Sequence, residues 1–232
     1  DVHHIRKVLR LRPGDVIRLA DGIGHLYEAR IIDVAPESIS VSILRPVEAG
    51  NESPIDIFLA QGFLKEKKMD ELIRPLTELG ITRIMPVITD RSVARPEPKR
   101  TEKRINRWRA IAMESLKQCG RSLAPEITDV TDMDQVMKTA SGVDLAIFFW
   151  EQAQAHIFTA GNEAPRSILL IIGPEGGFSE TEARMAKDRG CLIASMGPRT
   201  LRAETAAVAA SVLAQHLYGD MKKVLDTNGA IL

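Results

Sequence analysis

At 232 residues the chain has room for one mid-sized domain, or for a small domain beside a larger one. Hydrophobic residues make up 44% and charged residues 27%, as in ordinary soluble folded proteins, and no apolar run approaches the roughly 20 residues that a membrane span needs. The net charge of zero is a cancellation: residues 91–121 hold ten Lys/Arg against three acids, and residues 122–165 hold seven acids against one Lys. A phosphate-binding face is therefore not excluded. Cys119 and Cys191 stand outside any CxxC or Cys/His cluster, which argues against a disulfide framework or a metal site and for reduced thiols in a cytoplasmic protein. The opening segment, Asp1 to Lys7, lacks the apolar core of a secretory signal.

Taken in chain order, the first 45 residues read as β, with strand-like runs at 16–19, 26–32 and 38–44. The turn signals Pro13-Gly14-Asp15, Asp21-Gly22-Ile23-Gly24 and Pro36-Glu37 separate them, and such spacing suggests a small barrel. Residues 46–54 are polar and rich in turn formers, so a first domain is expected over 1–48, a linker over 49–54 and a second domain over 55–232. From there the rhythm is strand, then helix. A strand is predicted at 55–60, followed by a helix whose inward face is Met69, Leu72, Ile73, Leu76 and Leu79, closed by Gly80 and carrying a kink-prone Pro75. Further strands are predicted at 83–89, 143–149, 167–172 and 191–196, and helices at about 99–119, 179–189 and 203–218. Alternation of this kind specifies an α/β domain with a mostly parallel sheet. The tail from Asp226 is expected to fray.

Two late segments carry the chemistry. In Ile171-Ile172-Gly173-Pro174-Glu175-Gly176-Gly177-Phe178-Ser179, a buried strand ends in a glycine-rich turn, and Ser179 with Glu182 forms a capping box that opens a helix. Ligands of open α/β sheets bind at the carboxyl ends of strands, where glycines let backbone amides come close. The pattern is neither GxGxxG nor a P-loop. The second segment, Ser195-Met196-Gly197-Pro198-Arg199-Thr200-Leu201-Arg202-Ala203-Glu204-Thr205, repeats strand, Gly-Pro turn and helix. Its alanine stripe fits close helix packing, whereas Arg199, Arg202 and Glu204 at the helix start suit substrate handling.

Together these segments closely resemble the paired cofactor-site motifs of the 16S rRNA uridine-N3 methyltransferases, the small subunit methyltransferase E type of the SPOUT superfamily. The resemblance extends over nearly the whole chain, through His4-Ile5-Arg6-Lys7-Val8-Leu9-Arg10-Leu11 with Gly14-Asp15, Met69-Asp70 with Thr77-Glu78-Leu79-Gly80, Arg91-Ser92-Val93, and Glu114-Ser115-Leu116-Lys117-Gln118-Cys119-Gly120-Arg121. Glu66 replaces the family's usual glycine, and Ala203 a more frequent threonine. The resemblance implies an N-terminal PUA-like barrel, a C-terminal SPOUT domain with a trefoil knot over about 168–220, a homodimer, and S-adenosyl-L-methionine (SAM) as cofactor. It implies cofactor contact at Ile172, Gly173, Glu175, Gly176, Gly177, Met196, Gly197, Leu201, Arg202 and Ala206.

Uridine N3 must lose a proton before it can attack a methyl group, and it must be unpaired or flipped out to be reached. Arg202 is the candidate for stabilising the resulting anion, and Glu204 the second candidate, as a general base. RNA capture is assigned to Arg6, Lys7, Arg10, Arg12, Arg91, Lys103, Arg104, Arg107 and Arg121, with Trp108 placed in the core. The expected partner is 16S rRNA within the small ribosomal subunit. The rival readings are a SPOUT enzyme for another RNA position, such as a ribose 2′-OH, a non-catalytic RNA-binding assembly protein, and a small-molecule α/β enzyme. The intact glycine loops oppose the second of these, and the basic stretch opposes the third.

Overall fold

The computed structural model describes residues 2–48, 51–65, 67–92, 98–153 and 165–221. The chain forms two compact units: Asp1–Glu52 with Cys119–Ala124, and Ser53–Gln118 with Pro125–Leu232. The expected tail from Asp226 lies outside the described residues.

The first unit opens with a wide helical turn, His4–Leu9, followed by β1 (Val16–Ala20), β2 (Leu26–Val34) and β3 (Ile39–Val47). These strands form an antiparallel sheet in the order β1-β2-β3. The β1–β2 turn is fixed by Asp21, whose Oδ1 accepts the amides of Ile23 at 2.9 Å and His25 at 3.0 Å, as short polar side chains do in tight turns. Strand β3 runs further than expected and places Pro46 opposite Tyr27. A proline lacks the N–H that a central strand must donate, but β3 is an edge, where none is required. The sequence reading put Cys119–Ala124 in the second domain; it packs with the first. Glu52 holds it there, accepting from Arg121 Nε at 2.9 Å and from the amides of Ser122 at 2.7 Å and Leu123 at 3.0 Å.

The second unit is α/β. In chain order it contains β4 (Asp56–Gly62), α1 (Lys68–Glu78), β5 (Arg83–Ile88), α2 (Pro98–Cys119), β6 (Glu126–Ile127), β7 (Thr131–Asp132), α3 (Met133–Ala140), β8 (Leu145–Phe149), β9 (Ser167–Ile172), α4 (Glu180–Asp188), β10 (Leu192–Ala194) and α5 (Ala203–Tyr218). The sheet order is β10-β8-β9-β4-β5-β6, with β7 also on β5, and every pair is parallel. Its central strands are apolar on both faces, as a parallel sheet covered by helices on each side requires. The two-residue period sorts them cleanly: Ile57, Leu59, Ile168 and Leu170 face α1, α2 and α5, whereas Ala60, Leu169 and Ile171 face α3 and α4. Each of these large buried side chains contributes about 1.5–3 kcal/mol relative to exposure.

The expected helix ends recur. Helix α1 stops before Gly80, at φ +78°, and α4 begins at Ser179 with the capping box to Glu182. Pro75 sits inside α1 without ending it. Trp108 is wholly buried and donates its indole N–H to Asp70 Oδ1 at 2.8 Å. Helix α3 and the short strands β6 and β7 are additions to the sequence reading. Asp132 caps α3 by accepting from the Gln135 amide at 3.0 Å, and Met133, Val136, Met137 and Ala140 bury its inner face. Among the described residues, no helix is long and apolar enough to cross a membrane, and no cluster of three or more His, Cys, Asp or Glu is placed to hold a metal.

Candidate functional site

Parallel strands β8, β9 and β10 point their carboxyl ends the same way, and the loops that follow them enclose a cleft of about 680 Å³. Residues 149–151, 172–178 and 195–203 line it, with Lys68 and Ala206. The volume lies in the range of small-molecule sites, and the position is the one where open α/β sheets bind ligands. The ten residues that the resemblance assigns to cofactor contact all line this one cleft. The loop after β8, with Trp150 and Glu151, was not anticipated, although a polar residue following a buried strand is the signal that marks it.

The loop after β9 is packed from several sides. Gln61, at the end of β4 and fully buried, donates Nε2–H to Gly173 O at 3.1 Å, and the Lys65 amide donates to Glu175 Oε1 at 3.2 Å. Glu182 is 3% exposed and serves two loops at once: its Oε2 accepts the Ser179 amide at 2.8 Å and its Oε1 the Asp90 amide at 2.9 Å. Ser179 Oγ donates to Asp90 Oδ2 at 2.6 Å. Close approach explains Gly62 and Gly176, and a positive φ of +67° explains Gly177. A Cβ on Gly62 would sit 2.7 Å from the carbonyl carbon of Gly173, and one on Gly176 would sit 3.1 Å from both Cβ and O of Arg91. The turn is thus a cradle that side chains would fill.

The loop after β10 differs. Pro198, Arg199, Thr200 and Arg202 are exposed, and Gly197 has φ +108° with nothing within 4 Å of where a Cβ would stand. Arg202 is the N-cap of α5, its carbonyl accepting from the Ala206 amide at 2.8 Å, and its side chain makes no capping bond. Glu204, the second catalytic candidate, is not among the lining residues. Its Oε2 lies 3.5 Å from Lys68 Nζ, an ion pair, and Lys68 also reaches Glu175 Oε1 at 3.3 Å. Lys68 and these contacts were missed, because no spacing rule joins residues so far apart in the chain. The contact with Glu175 raises the Lys68 ammonium above its ordinary range; burial opposes this and Glu204 adds to it. Burial pushes the Glu175 carboxyl up, but bonds from its own amide, the Lys65 amide and Lys68 outweigh it and hold the group low.

The basic candidates divide by environment. Arg6, Lys7, Arg10 and Arg12 are exposed on the first unit, and Arg91 and Lys103 are exposed on the second. Arg104 lies over the rings of Phe63 and Trp108, at 4.7 and 5.6 Å, and burial lowers its guanidinium against the pull of Asp70. Arg107, largely exposed, pairs with Asp70 at 3.0 Å. Arg121 corrects the sequence reading: it is 2% exposed and paired with Glu52, so its charge is spent on the interior and offers no surface to phosphate.

A family model described as an RNA methyltransferase domain matches residues 51–215, and one described as an RNA methyltransferase PUA domain matches residues 1–44. A ribosomal RNA small subunit methyltransferase E of Bacillus subtilis is 30% identical over 213 residues, 89% of this chain and 83% of that protein. Its namesake from Buchnera aphidicola subsp. Schizaphis graminum is 31% identical over 94% of this chain and 89% of its own. Among solved structures, the methyltransferase E of Neisseria gonorrhoeae bound to S-adenosyl methionine superposes with a TM-score of 0.84 at 31% identity, covering 94% of this chain and 90% of that one. A methyltransferase of Legionella pneumophila in complex with SAM gives a TM-score of 0.85 at 33% identity, with 94% and 90% covered.

Proposed function

Because this chain belongs to the RNA methyltransferase family, in the line of the ribosomal RNA small subunit methyltransferases E, we propose that it methylates N3 of one uridine in 16S rRNA on the assembled small subunit. One observation carries the reading: the loops after β9 and β10 line a single cleft of cofactor size whose first loop is a glycine cradle. The donor is SAM, which when bound supplies an electrophilic methyl group on its sulfonium. Ile172, Gly173, Glu175, Gly176 and Gly177 would hold it from one loop, and Met196, Gly197, Leu201, Arg202 and Ala206 from the other.

The chain's own work is to position the acceptor and to manage its charge. Alignment of the reacting groups supplies much of such a rate. Arg202, exposed at the amino end of α5 and lining the cleft, favours the deprotonated N3, and the helix terminus adds partial positive charge. Glu204 stands against Lys68 outside the lining, so the anion-stabilising route is preferred, with solvent taking the proton. The base must be splayed from its stack before it enters.

Arg6, Lys7, Arg10 and Arg12 on an N-terminal PUA-like barrel, together with Arg91, Lys103 and Arg107, supply phosphate contacts, with Arg104 at the margin. Residues 1–48, joined by 119–124, make the RNA-binding domain, and 55–118 with 125–232 the methyltransferase domain. A trefoil knot over about 168–220 is supported by the path of α5, which returns from the sheet edge at β10 to pack on β9, β4 and α1. The active form is a cytoplasmic homodimer. Labelled SAM incubated with small subunits lacking the modification, then nucleoside mass spectrometry, should yield 3-methyluridine. A 2′-O-methyl nucleoside in its place would overturn the chemistry.

A further inference from the structure

We propose that Lys68 is a positioning residue for the transfer: one ammonium, shared by Glu175 and Glu204, sets the donor-binding loop against the helix start that presents Arg202. The inference rests on the reading of the cleft given above. Its geometry is independent of that reading.

Lys68 begins α1, whose next turns are fixed by Met69, Leu72, Ile73 and Leu76, each at most 2% exposed. The side chain therefore projects from a rigid base into the wall of the cleft. Its Nζ is 3.3 Å from Glu175 Oε1, the oxygen that also accepts the Lys65 amide, so the entry to α1 grips the β9 loop twice. The same Nζ is 3.5 Å from Glu204 Oε2 in the first turn of α5. That oxygen is buried and has no hydrogen-bond partner among the described residues. Without a cation beside it, that buried oxygen would lose its counter-charge, and the first turn of α5 would lose its ionic tie to α1. Arg202 stands on that start with no side-chain cap of its own. Glu175 and Glu204 come from different loops and would repel each other; a cation between them reverses the sign. The Glu175 contact raises the Lys68 ammonium, which favours the charged form that a tether needs.

The test compares wild type, Lys68→Met, Lys68→Arg and the double variant Lys68→Met/Glu204→Gln, by calorimetric titration with SAM and single-turnover methylation of unmodified small subunits. Lys68→Met should weaken SAM binding by about tenfold, the scale of two partly exposed ion pairs. It should slow transfer further at saturating SAM, because Arg202 is then misplaced. Lys68→Arg should restore most of both. The double variant should bind SAM better than Lys68→Met alone, since the stranded carboxylate is gone. Wild-type binding and transfer in Lys68→Met overturns the proposal. So does a failure of both Lys68→Arg and the double variant to recover what Lys68→Met loses, which also decides the matter if Lys68→Met does not fold. A wild type that fails to bind SAM removes the reading of the cleft instead.

Discussion

The loops after β9 and β10 look alike in sequence, each a strand, a glycine turn and a helix, yet they are built to opposite specifications. The first is held by Gln61, Lys65, Asp90 and Glu182, and its Gly173 and Gly176 sit where neighbours leave little room for a side chain. The second shows exposed Arg199, Thr200 and Arg202, and its Gly197 answers to backbone conformation alone. A preformed cradle removes the ordering cost of binding, while exposed charges on the facing loop remain free to meet a substrate. Substitutions in the first loop should thus cost stability and cofactor affinity; those in the second should cost turnover.

The largest expected effect sharpens this contrast. Arg202→Ala should reduce the rate of transfer by about 10²–10³, as loss of one anion-stabilising donor does, while unfolding free energy moves by no more than about 0.5 kcal/mol. Unchanged turnover in stopped-time assays would remove Arg202 from the mechanism. Gly62→Ala should do the reverse, destabilising by about 3 kcal/mol because the new methyl meets the Gly173–Pro174 backbone, which cannot swing away. Urea titration checks it, and a shift below 1 kcal/mol would show the cradle to be softer than its packing implies.

Glu182→Ala removes a buried carboxylate that serves two amides and should cost about 2 kcal/mol. The same titration measures it, with weaker SAM binding expected alongside. Gly197→Ala should cost only about 1 kcal/mol of conformational strain, since the space is open. A loss as large as that of Gly62→Ala would erase the distinction between the loops. The smallest effect concerns pH. The Lys68–Glu175 contact contributes fully above the ordinary carboxyl value of 4.5 and is lost as pH falls through the lowered Glu175 value. From the other side it contributes fully below the ordinary ammonium value of 10.5 and is lost as pH rises through the raised Lys68 value. SAM affinity should therefore show no step from this pair near neutrality, and a calorimetric pH series would reveal one if it existed.

Much of the second unit was legible because its strands bury both faces. Ile168-Leu169-Leu170-Ile171-Ile172 has no polar residue to confuse the reading, and Ser179 with Glu182 announces the helix that follows. Helix α3 escaped because it is a few turns long and flanked by acids, too short for its apolar period to stand out. Pro46 misled for a different reason: proline marks turns in general, and only the pairing shows that β3 is an edge. The glycine loops could be found as local motifs. The Lys68 bridge could not, because its partners become neighbours only when β9 and α5 meet over α1. Arg121 failed for the same reason in reverse, as a basic run says nothing about which of its members the fold turns inward.

The hold of Glu52 on residues 121–123 has a practical corollary. The backbone passes from one unit to the other after Glu52, after Gln118 and again after Ala124, so no single scissor cut separates them. A gene fragment beginning at Ser53 would still encode Arg121 without the Glu52 carboxylate that meets it, and would deprive the amides of Ser122 and Leu123 of the same acceptor. Excising either half cleanly calls for replacing 119–124 with a neutral bridge, and swapping first units among relatives would have to carry that short passage along with its acidic anchor.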